Sequence, residues 1–192
     1  MVDEKGQIIL NAARELFFRF GFTKTSMDDI AAQCGLAKPS LYYYYKNKEA
    51  IFDAIVVGEA EQFMNEVDKK LEENLPPAKK LASFYYSIHE KLKTFATELE
   101  EVPEMMCEYS PHGRPVVRKI RELFEGKLQL LLQEGKDKGV FHFDDQTTTV
   151  KTLTLMTQFL NLDWIRQIPE TERDKIVERT VHILLNGLNG RA

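Results

Sequence analysis

Apolar residues recur along this chain at three- and four-residue spacing almost from end to end. Ile9, Ala13, Leu16, Phe17 and Phe20 form one stripe over residues 5–20, which predicts an amphipathic helix. Gly21 stops it, as glycine does at a helix C-terminus. Met27, Ile30, Ala31 and Cys34 make a shorter stripe that ends at Gly35. Thr25 or Ser26 can cap its start, and Asp28 and Asp29 favour its positive end. A third short helix begins near Lys38. Pro39 is tolerated there because first-turn amides have no internal partner to lose. Asn47 can cap a fourth helix reaching about Asn74, with Phe52, Ile55, Val56, Phe63, Val67 and Leu71 on its stripe.

Pro76-Pro77 is the first firm break. Residues 78–100 then carry Leu81, Phe84, Tyr85, Ile88, Leu92, Phe95 and Leu99. The stretch 101–115, with Pro103, Pro111, Gly113 and Pro115, is expected to be irregular or only briefly helical. Residues 116–138 and about 145–166 predict long helices, separated by Lys138-Gly139-Val140-Phe141. A last helix follows Pro169 and reaches about Leu188. No segment shows strand periodicity, and there are no internal repeats. The pattern predicts an all-α chain of about nine helices.

Composition adds bounds. With 192 residues and 43% hydrophobic content, the chain can build one large core, or a small domain fused to a larger one. No apolar run approaches the roughly 18 residues of a membrane helix. The N-terminus, MVDEKGQIIL, lacks the basic-then-apolar layout of a secretory signal, so a cytoplasmic protein is expected. Cys34 and Cys107 suggest neither a disulfide framework nor a zinc site. The net charge of −4 first argues against nucleic acid. Its distribution softens that objection: residues 1–50 hold seven basic groups against six acidic ones, leaving nineteen against twenty-four beyond. A small domain can present a basic face while an acidic body sits away from phosphates.

The chemistry concentrates in residues 25–49, TSMDDIAAQCGLAKPSLYYYYKNKE. Two short helices joined by a tight glycine turn make a helix-turn-helix, whose second helix lies in the major groove of DNA. Leu36 and Leu41 bracket the turn as its buried pins. Leu41 and Tyr45 share the core face. Lys38, Ser40 and Tyr43 then point outward as base-edge candidates: lysine can donate to guanine, serine can donate or accept, and tyrosine can meet a thymine methyl or, equally, a phosphate. Tyr42 and Tyr44 flank that face, where a phenol can bond a phosphate oxygen. Lys48, Thr25 and Ser26 stand at helix starts, where unpaired amides favour an anion. These five are the phosphate candidates. Lys46 reads as a solvated lysine, and Cys34 as a small core residue.

Residues 8–52, from the Phe-Gly end of the first helix through TSMDDIAAQCGLAKPSLYYYYKNKEAIF, resemble the DNA-binding domain of tetracycline-repressor (TetR) type regulators. The resemblance implies residues 1–47 as the DNA-binding domain and 48–192 as a ligand-binding and dimerisation domain, with the fourth helix belonging to both. It implies a homodimer joined through the last two helices, binding a double-stranded operator and a small-molecule effector. One position departs: Ala37 stands where the family commonly has a capping serine, a loss of about 1 kcal/mol.

Tyr85, His89, Met106, Tyr109, Phe124, Met156, Phe159 and Trp164 are candidates to line the effector pocket. Their bland alternative is plain core. Glu104, Cys107, Glu108 and His112 lie close enough in sequence to suggest a metal sensor, but the intervening Pro111 and Gly113 leave their geometry open; no metal and no cofactor are expected. The leading reading is a dimeric repressor released from a palindromic operator by a small apolar or aromatic effector. The alternative is a helical carrier or enzyme with an incidental N-terminal domain. Against an enzyme, the chain carries no phosphate-binding glycine loop and no nucleophile motif.

Overall fold

The computed structural model describes residues 3–71, 74–98, 113–158 and 167–190. Among them are eight helices and no strand: α1 (Glu4–Phe20), α2 (Met27–Gln33), α3 (Lys38–Tyr44), α4 (Lys48–Lys70), α5 (Pro77–Glu98), α6 (Gly113–Asp137), α7 (Gln146–Gln158) and α8 (Glu170–Leu188). The all-α expectation holds. The chain forms two compact units, divided within α4 between Gln62 and Phe63, and within α6 between Ile120 and Arg121.

In the smaller unit, local chemistry sets each helix boundary. Asp3 caps α1 by accepting from the Gly6 amide at 2.8 Å. Gly21, at φ 82°, ends it. Ser26 and Asp29 form a reciprocal capping box on α2, which satisfies two otherwise orphaned donors. Gly35, at φ 65°, makes the turn into α3, a conformation that side chains with a Cβ rarely adopt. Ala37 gives α3 no side-chain cap. Asn47 Oδ1 accepts from the Ala50 amide at 2.9 Å and starts α4. Ile9, Ala13, Ile30, Leu41 and Ile51 are fully buried in one small core. Ile51 comes from α4, so the first turns of that helix belong with the helices before it. Phe17, Phe22 and Phe52 stack beside them at centroid distances of 5.2–5.9 Å. An Arg14–Glu59 ion pair of 2.9 Å joins α1 to α4.

The larger unit is held by a bigger apolar core. Val67, Leu81, Phe84, Tyr85, Leu128, Leu132, Phe141 and Val177 all lie within it. Gly139, at φ 66°, closes α6 and folds the chain back. The Val140 and Phe141 amides then donate to the Gly135 carbonyl at 2.8 and 3.1 Å. A Cβ at Gly135 would overlap the Phe141 ring, so glycine makes room for it. The His142 amide donates to Leu188 O at 2.7 Å, which ties this turn to the end of α8.

Two helix bounds differ from the sequence pattern. α4 ends at Lys70, short of Asn74. α6 begins at Gly113 rather than 116; Pro115 falls in its first turn, where the missing N–H costs nothing. α7 is described to Gln158, and residues 159–166 lie outside the described residues.

Candidate functional site

The start of α2, the start of α3 and the start of α4 converge on one concave surface of the smaller unit. It is lined by Thr23, Lys24, Ser26, Asp28, Lys38, Tyr42, Asn47 and Lys48, among others, and encloses about 430 Å³. The buried face of α3 is fixed by Leu41, which is fully enclosed, and by Tyr44 and Tyr45 packed against the same core. That leaves Lys38, Ser40, Tyr42 and Tyr43 exposed. Tyr43, at 85% exposure, is the most open large side chain of the helix. Its ring meets Tyr44 edge-on at 5.4 Å.

Lys38 is exposed but not unpaired. Its ammonium lies 2.8 Å from Asp28 Oδ1 and 3.0 Å from Oδ2. The hydrogen bond and charge of Asp28 raise the Lys38 pKa above the usual lysine value. Neighbouring Asp29 has a different role: the Ser26 hydroxyl and amide both donate to Oδ2, at 2.6 and 2.8 Å, and hold its carboxyl below the ordinary range. Two adjacent acids are thus divided between a helix cap and a lysine.

Three phosphate candidates are engaged elsewhere. Thr25 is buried, and its hydroxyl donates to Gly21 O at 2.9 Å; it locks the end of α1. The Tyr44 hydroxyl donates to Asp3 Oδ2 at 3.3 Å, so this phenol ties the end of α3 to the cap of α1. Lys48 Nζ donates to the carbonyls of Phe22, Thr23 and Thr25 at 2.9, 3.4 and 2.9 Å and lies 4.5 Å from the centre of the Phe22 ring. An ammonium has three donors, and three carbonyls meet them. Lys48 therefore pins the α1–α2 loop to the start of α4. Ser26 and Tyr42 remain exposed at the concave surface. Cys34 is half-buried against the core, and burial pushes its thiol pKa up.

The sequence did not disclose these pins. The carbonyls that hold Lys48 belong to the backbone and carry no residue signature. Asp28 and Lys38 lie ten residues apart across a turn, outside any helical spacing rule.

The effector candidates do not form one group. Tyr85 and His89 sit one turn apart on α5, both buried in the larger unit. The Tyr85 hydroxyl donates to Leu153 O at 3.4 Å, and burial pushes its pKa well above the usual phenol range. His89 Nε2 lies 3.2 Å from Asp174 Oδ1 on α8. Phe124 is half-buried, 6.4 Å from Phe63 and 6.0 Å from Phe84. Met156 lies apart from these three. It is exposed, in a groove of about 380 Å³ formed by α7, α8 and the turn before α7, with Leu153, Ile183 and Leu188. Leu155 and Ile183 are exposed at 60% and 55%, an apolar surface that a covering partner would bury. Met106, Tyr109, Phe159 and Trp164 lie outside the described residues, as do Glu104, Cys107, Glu108 and His112.

Comparison with known proteins places this geometry. Residues 9–55 match the model for bacterial regulatory proteins of the tetR family. The uncharacterised HTH-type transcriptional regulator YhgD of Bacillus subtilis is 24% identical over 188 residues, 98% of each chain. The fatty acid metabolism regulator protein of Bacillus subtilis is 29% identical over 134 residues, 68% of each. Thermus thermophilus FadR, a transcriptional repressor solved in complex with lauroyl-CoA, shares the fold at a TM-score of 0.76 and 21% identity. That match covers 97% of this chain and 96% of the other. No helix among the described residues is long and apolar enough to cross a membrane.

Proposed function

We propose, for a chain that belongs to the TetR family of transcriptional regulators, that it works as a cytoplasmic dimeric repressor released from a palindromic operator by a small apolar or aromatic effector. The observation that carries the DNA-binding half is the division of α3. Leu41 is wholly buried while Lys38, Ser40, Tyr42 and Tyr43 on the same seven-residue helix are exposed. A helix presented this way can lie in a major groove and offer a lysine, a hydroxyl and a phenol to base edges. Ser26 and Tyr42 would hold the flanking phosphates. Lys48, pinned to carbonyls, would act on DNA mainly by fixing the loop before α2, with its charge adding to the local field.

Two copies joined through the α7–α8 groove would carry two such helices, and paired half-sites multiply a weak single contact. The effector would be met in the larger unit near Tyr85, His89 and Phe124. An acyl chain of the kind carried by the Thermus relative's ligand belongs to the apolar class expected here. α4 would couple the two events, since it contributes to both compact units. Linkage requires ligand and operator to weaken each other by the same factor.

A mobility shift with random duplex DNA at low salt tests the first half. Retardation by micromolar protein is expected, and its absence would point to a carrier. Thermal shift with acyl-CoA and aromatic panels tests the second. A rise in melting temperature with one class and a matching loss of DNA affinity is expected.

A further inference from the structure

The concave surface that faces nucleic acid holds an acid as well as bases. Asp28, in the first turn of α2, and Lys38, in the first turn of α3, are exposed at 64% and 55% of their side chains and still meet at 2.8 and 3.0 Å. Exposed pairs of this kind add little to stability. Nor does α2 need Asp28 as its cap, because Asp29 and Ser26 already close that end. Asp28 thus has a charged partner at the site, and its structural task is limited to the charge it lends the first turn of α2.

We propose that Asp28 is a specificity-determining residue that biases Lys38 toward base edges and away from phosphates. This inference rests on the DNA-binding role of Lys38 given above. Lys38 has three N–H donors, and Asp28 occupies part of that set. A guanine O6 or N7 is a neutral acceptor. Lys38 can hold it while keeping Asp28, so the carboxylate retains its partner. A phosphate is an anion. For Lys38 to bind one, Asp28 must stand beside a second negative charge or be abandoned next to the DNA backbone. Repulsion of this kind penalises the wrong complex, which is how discrimination is built by disfavouring alternatives. Non-specific binding is almost wholly phosphate-based, so the penalty falls on random DNA most heavily.

The test uses a duplex recovered from a random library by the wild-type protein, and a scrambled duplex of equal length. Anisotropy titrations over a salt series would compare wild type, Asp28→Asn, Lys38→Met and the double variant. Asp28→Asn should tighten the scrambled duplex several-fold and steepen its salt slope by about one unit. It should leave the selected duplex within twofold, so the ratio of the two affinities falls. In the Lys38→Met background the same substitution should lose most of this effect. Equal tightening on both duplexes would overturn the proposal, because it means plain charge repulsion. Persistence of the effect without Lys38 would do so too, as would no effect at all. If Lys38→Met itself binds both duplexes like wild type, the base-reading role of Lys38 fails first and takes this inference with it. Melting curves confirm folding; Asp28 lends α2 a first-turn charge but not its cap, so the variants should melt only slightly below wild type.

Discussion

The two compact units solve the same problem with different means. Among the described residues, the smaller has seven in its buried cluster, against seventeen in the larger. A small core leaves helix positions loosely determined, and polar pins supply what packing does not. Thr25 closes the end of α1, Tyr44 reaches back to Asp3, Lys48 grips three carbonyls, and Arg14 meets Glu59. These pins hold α1, the loop before α2, the end of α3 and the first part of α4 together, and the helix starts held in this way form the concave site. In the larger unit the chain is positioned by apolar fit, and among its described residues the buried groups that carry a polar atom are Tyr85, His89, Lys80 and Thr154. The difference teaches that substitutions in one unit should move function through geometry. In the other they should move stability first.

Phe141→Ala is the sharpest way to break that contrast. The ring is 1% exposed and fills the space that Gly135 leaves. Its removal should cost about 3–5 kcal/mol, read by urea or thermal unfolding. Well below the melting point, the folded fraction should bind DNA with unchanged affinity and salt slope. A changed slope would mean that packing in the larger unit also sets the DNA-facing geometry.

Lys48→Met is the counterpart in the smaller unit. It keeps the stem and deletes the three bonds to Phe22, Thr23 and Thr25. Loss of such charge-assisted contacts should cost about 2 kcal/mol and weaken DNA binding in titrations run at a temperature where the protein is fully folded. A direct phosphate contact would instead reduce the salt slope by about one unit with little change in melting. The two roles are separable in one pair of measurements. Ser26→Ala follows, at about 1 kcal/mol, through loss of the capping box. Its effect should be largest on amide exchange protection at Asp28, Asp29 and Ile30.

The sequence made the smaller unit's skeleton legible for a physical reason. Glycines at 21 and 35, a cap at Thr25 or Ser26 and Pro39 are local signals, and each acts within four residues of itself. The missing cap at Ala37 was visible in the same way and is present in the structure. What the sequence could not display were contacts between distant positions or to backbone atoms. Lys48 looked like a phosphate ligand because a helix start favours anions, yet the nearest acceptors are carbonyls of the preceding loop. Tyr44 looked like a flank of the reading face, yet α3 ends there and turns the phenol to Asp3. In the larger unit, helix existence was legible and helix ends were not. Periodicity marks a face, whereas the stop of α4 at Lys70 leaves no mark in it, and the fold of Phe141 onto Gly135 turns on the space beside a glycine. Met156 shows the same limit. Its helical stripe was evident, but whether that stripe faces core or open groove is a tertiary fact.

The smallest predicted effect tests whether charge matters inside the apolar unit at all. Glu134 accepts from Lys138 at 2.6 Å and from Lys80 at 2.9 and 3.0 Å, and these lysines, Lys138 first, hold its carboxyl pKa below the ordinary value of 4.5. A lowered folded-state pKa means that the unfolded chain takes up the proton first. The stabilisation is therefore complete above that ordinary value and disappears as pH falls through the folded one. Lys80 is only 8% exposed, so its ammonium depends on this partner more than a surface lysine would. Glu134→Gln keeps one acceptor oxygen and removes the charge. It should cost under about 1 kcal/mol at neutral pH, since the pair is partly solvated. The gap between wild type and variant should close as pH drops below 4.5. A gap that stays constant down to acid pH would mean that shape rather than charge holds α5 to α6, which would make the larger unit's reliance on packing more complete than its one buried lysine implies.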